Sequence, residues 1–100
     1  MHTIMTLYDQ LWDTEKDARH FAECALKYKD SDSELADMYI TLARTDVDQC
    51  SRLHAQIVRL VTKHKADFGD EPAINELCEW HTAKLTHKLA EIKLLIDMYK

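Results

Sequence analysis

Two polar side chains, Asp46 and Gln49, stand where helical periodicity calls for apolar ones, and Glu15 stands on the flank of such a stripe. Asp46 falls seven residues after Tyr39 and seven before Leu53, Gln49 falls seven after Leu42, and Glu15 sits at the same spacing between Tyr8 and Ala22. If the chain folds back near residues 30–31 and again near 69–70, Glu15 and Asp46 come level, and Glu91 joins them from the last third of the sequence. Three carboxylates and an amide in one layer of a bundle cannot stay charged without compensation. Carboxylate-bound iron or manganese is one form of compensation, and such centres use a Glu-x-x-His pair on each of two helices. Asp46 and Gln49 keep that spacing, but Asp shortens the reach and Gln removes the imidazole ligand. The other form is hydrogen bonding to neighbours such as Tyr39, Arg44 or Lys88, which sets helix register with no metal at all.

A second set carries binding rather than metal chemistry. Trp80, His81, Lys84, His87 and Lys88 form a semi-polar strip along one predicted helix. Indole faces and ammonium groups together take up an anionic small molecule by stacking and charge, and the same residue types favour subunit interfaces. His81 also lies on the apolar stripe, where a histidine satisfied by a neighbouring carbonyl is the plainer reading. Cys50 with His54 and Cys78 with His81 have zinc-ligand spacing within their own helices. The register places the two pairs roughly 16 Å apart along the axis, so one chain cannot close a zinc site from them. The cysteines then read as small core residues. Gly69 is the one glycine, which leaves no phosphate-binding loop and no nucleophile elbow, so the residues argue against catalysis.

The elements that position these residues follow from two breaks. Lys29-Asp30-Ser31-Asp32-Ser33 is polar and competes with helix, and Ser31 stands three before Glu34, the spacing of a capping box. Phe68-Gly69-Asp70-Glu71-Pro72 supplies a glycine to end one helix, an aspartate to cap the next and a proline fit for a first turn. Between the breaks, apolar residues recur at helical spacing, from Ile4, Leu11 and Ala18 through Tyr39, Leu42 and Leu53 to Leu85, Leu89 and Ile96. The expectation is an all-α fold of three long antiparallel helices over about 3–29, 32–68 and 71–99, in a single domain 1–100. The middle helix is the longest, and its far end still carries Leu60, Val61 and Phe68 without an evident partner. Three such rods close a core poorly, which predicts a homo-oligomer, at least a dimer.

Composition narrows the classes further. The 100 residues are 46% hydrophobic and 31% charged with one glycine and one proline, which excludes sandwiches, barrels and βαβ units for want of turns. No apolar run approaches membrane-spanning length and the first residues lack the pattern of a signal peptide. A net charge of −5 argues against nucleic acid as the main ligand, and three evenly spread cysteines suit a reducing cytoplasm.

The runs Glu34-Leu35-Ala36-Asp37-Met38-Tyr39, Leu42-Ala43, Leu53-His54, Gly69-Asp70-Glu71-Pro72 and Ala90-Glu91-Ile92-Lys93 resemble a family of small ferritin-like proteins encoded by phages and prophages. The resemblance spans nearly the whole chain through helix-packing residues of moderate specificity. Members of that family tend to hold Glu-x-x-His where this chain has Asp46 and Gln49. It implies a ferritin-like helical bundle and a phage accessory protein working in the cytoplasm of a bacterial host. Three functions are then open. One is a non-catalytic module that sequesters an anionic small molecule such as a nucleotide signal, or a host immune protein, as a counter-defence. Another is a di-metal carboxylate protein holding iron or manganese through Glu15, Asp46, Gln49 and Glu91. The last is a phage structural or assembly factor.

Overall fold

The computed structural model describes residues 1–99, so Lys100, the last residue of the expected domain, lies outside the described residues. It contains three helices, α1 (His2–Tyr28), α2 (Ser33–Phe68) and α3 (Pro72–Met98), and no strand among the described residues. The molecule is a rod of 55 × 19 × 15 Å, its length set by the 36 residues of α2 at about 1.5 Å each.

The three helices do not pack equally. On the α1–α2 seam, Ala18, Ala22 and Ala25 pack in one cluster with Ala43, and these four and Ala36 are fully buried. Small side chains let two backbones approach closely, and α1 and α2 share far more close backbone contact than either shares with α3. α3 presents the larger Ile74, Leu85, Leu89, Ile92 and Ile96, which fill the groove of the hairpin but hold the third backbone further off.

Each break forms a tight turn, with details that differ from the expected ones. Asp32, not Ser31, caps α2: its side chain accepts a hydrogen bond from the Leu35 backbone N–H at 3.1 Å. At the second break Gly69 takes φ +86°, a conformation side-chain-bearing residues avoid, and its N–H returns to the Lys65 carbonyl at 2.8 Å. Glu71 precedes α3 and Pro72 opens it, while Asp70 accepts from the Asn75 side chain at 2.6 Å instead of capping the backbone. The far end of α2 is also better covered than its length suggested. Val61 is buried and Leu60 packs against the core, with Ile4 of α1 and Ile74 of α3 in the same cluster. Phe68 alone of the three stays 72% exposed, resting on the His64 ring.

Candidate functional site

The strip on α3 is brought against α1 by a register that sequence spacing did not reveal. α1 and α3 run in the same direction, and Trp12, Arg19 and Lys29 meet His81, Glu91 and Met98 in turn. His81 is buried, 8% exposed, with its ring stacked on Tyr8 at 3.8 Å between centroids. The Trp12 indole N–H donates to His81 Nδ1 at 3.0 Å, which places the proton of the neutral ring on Nε2. Burial, then the nearby Lys84 ammonium, holds the His81 pKa below its ordinary value. Burial, and then the neighbouring Cys78, lifts the Tyr8 phenol well above the usual tyrosine range.

Over this buried layer lies an exposed one. Trp80 stands edge-on to His81 at 4.9 Å and is 58% exposed. Lys84 Nζ sits 4.6 Å from the Trp12 ring centroid and 5.0 Å from that of Trp80, so one ammonium is held between two indoles. His87 and Lys88 continue along α3, where His87 Nε2 pairs with Glu91 at 2.9 Å. Trp80, His81 and Lys84 therefore form one cluster and His87 belongs to a carboxylate. Trp12 and Tyr8, which the spacing argument did not assign to the strip, complete the cluster from α1. Their mutual spacing of four residues was visible, but their level relative to α3 was not.

The carboxylate layer divides in two. Arg19 lies between Glu15 and Glu91, at 3.5 and 3.3 Å, and forms an ion pair with each. Glu15 is 6% exposed, and this arginine, four residues along the same helix, is its compensation. Asp46 is half-buried on the other side of the hairpin; burial and the facing Asp17 raise its pKa. The Cys50 thiol, pushed up to about 11 mainly by burial, donates to the Leu11 carbonyl at 3.8 Å, and one helical turn along each antiparallel helix the same register brings Glu15 level with Asp46. Gln49 is exposed and does not enter the interior, contrary to its heptad position.

A guanidinium between Glu15 and Glu91 stands where a metal would need oxygen ligands. Among the described residues no group of three or more His, Cys, Asp or Glu is placed to hold a metal ion. The expected di-metal donor set of Glu15, Asp46, Gln49 and Glu91 does not fit the metal. Three members of the cysteine–histidine pairs are separately engaged: Cys50 with the Leu11 carbonyl, His54 with Thr82 and His81 with Trp12.

Other concavities are shallow. An open groove of about 490 Å³ between α2 and α3 is lined by Val61, Lys65, Asn75, Cys78 and Glu79, with Thr82 and Ala83. No helix among the described residues is long and apolar enough to cross a membrane. No protein-family model, curated protein or solved structure matches the chain.

Proposed function

We propose that the protein is a non-catalytic binding module that sequesters a planar anionic small molecule, of the nucleotide class, on the Trp80–Lys84 strip. The observation that carries this reading is the Lys84 ammonium clasped between the indoles of Trp12 and the exposed Trp80. A heteroaromatic ring stacks on the free face of Trp80, and its phosphate pairs with Lys84, with Lys88 one helical turn further on. Buried His81, locked between Tyr8 and Trp12, gives the strip a rigid floor, so little ordering is required on binding. The resemblance to small phage-encoded proteins supplies a setting, in which the ligand is a host nucleotide signal and capture of it serves counter-defence. Binding of a host immune protein on the same strip is the macromolecular form of this reading.

The test is quenching of tryptophan fluorescence by adenosine monophosphate and by a cyclic dinucleotide, each titrated to about 1 mM. Saturable quenching is expected, with Trp80→Ala and Lys84→Ala each weakening affinity about tenfold or more, the scale of a lost stacking or charge-assisted contact. Failure of both probes to bind, or equal affinity in the Lys84→Ala variant, removes the proposal.

A further inference from the structure

The α1–α2 hairpin has two sides, and α3 covers one of them. On α2, Asp37 and His54 reach α3 through Tyr99 and Thr82. A third of a turn or more around the helix, Leu42, Gln49, Leu53, Gln56 and Leu60 form a row that points away from α3. Leu53 and Leu60 are half-buried along the edge of the core, while Leu42 and Met38 are 38% and 47% exposed. α1 extends the same face with Phe21 and Tyr28, both stacked on Tyr39. Among the described residues nothing lies over this two-helix surface.

Its charges follow a pattern. On this side of α2 and its cap, the first half carries Asp32, Glu34 and Asp46, and the second half carries Arg52 and Lys63 with Asp67. In the middle, Asp46 faces Asp17 across the hairpin, and neither is paired with a cation among the described residues.

We propose that this face binds a second copy of the chain, with the two α2 helices antiparallel about a two-fold axis near Asp48 and Gln49. Two symmetric arrangements bring the face against itself. An axis along the helices keeps every residue at its own height, so the acidic half of each α2 would lie on the acidic half of the other, and like charges repel. An axis across the helices reverses the order. The acidic half of each α2 then lies along the basic half of the other, Glu34 comes level with Lys63 of the second copy on the same flank, and Met38 comes level with Leu60. A surface whose two halves complement each other end to end matches itself, which selects a second copy as the occupant.

Sedimentation equilibrium of the full chain between about 1 and 500 µM tests this, since isologous interfaces of modest area dissociate in that range. A dimer is expected, and Leu42→Glu weakens it about a hundredfold with the helical circular dichroism unchanged, because Leu42 is exposed in the single chain. Glu34→Lys and Lys63→Glu each weaken it about tenfold, and the two together restore affinity to within about threefold, since the pairs recur twice per dimer. A monomer throughout the range, a dimer indifferent to Leu42→Glu, or a double reversal that fails to restore affinity overturns the proposal. Both charged positions are exposed, so their variants decide the question even if Leu42→Glu disturbs folding.

Discussion

His81 is held in place as a neutral ring. Its Nδ1 accepts from Trp12, its face lies on Tyr8, and the Lys84 ammonium stands close by, so a proton on Nδ1 would break the hydrogen bond and add like charge. Its folded pKa therefore lies below the ordinary 6.5. For a base shifted this way, both folded and unfolded chains are neutral above that value and the proton costs nothing. Below it the unfolded chain binds the proton first, and stability is lost as pH falls until the folded pKa is passed. The urea midpoint is expected to drop between pH 7.5 and 5.5 in the wild type, and to drop less in His81→Phe. Phe leaves the Trp12 N–H without its acceptor at both pH values, a cost of about 1–2 kcal/mol that cancels in the comparison. An equal drop in both proteins would assign the titration to another group.

At the scale of the element, the two breaks show what local chemistry does and does not choose. The polar run before α2 offers both Ser31 and Asp32 as caps, one residue apart. The backbone turns so that Asp32 is the residue whose carboxylate meets the Leu35 N–H. Asp32→Ala is expected to cost about 1 kcal/mol in chemical denaturation, and Ser31→Ala no more than about 0.3 kcal/mol. The reverse order would show that the first helical turn of α2 starts earlier. Among the described residues Gly69 alone has positive φ, so the end of α2 could be read directly, because no other residue type nearby adopts that conformation at low cost.

The whole molecule is a tight pair with a looser third member. Alanines bring α1 and α2 together, whereas α3 is fastened largely by leucines, isoleucines and a few long side chains. Arg19 reaches Glu91, Trp12 reaches His81, and Tyr99 near the end of α3 meets Asp37 of α2. Elements with less buried backbone contact open at lower free energy. Native-state hydrogen exchange should therefore be faster across α3 than in the middle of α1 and α2, by at least about tenfold, which corresponds to about 1.4 kcal/mol. Equal protection in all three helices would mean that α3 unfolds only with the rest.

Helix content, two breaks and the apolar face of each segment were legible in the chain, because period and turn residues act within one element. Ile4, Leu11, Cys50, Ile57, Leu89 and Ile96 lie on those faces and in the core. The level shared by Glu15 and Asp46 could also be counted, since a short turn fixes how two antiparallel helices pair. Which way a flank residue faces was not legible: Gln49 follows the heptad of Leu42 yet both are exposed, because close alanine packing turns α2 toward α1 and away from that row. Nor was the match between α1 and α3, which no turn connects. Only the tertiary structure set Trp12 against His81 and placed Arg19 between Glu15 and Glu91, because axial shift between non-consecutive helices depends on how whole side-chain surfaces interlock.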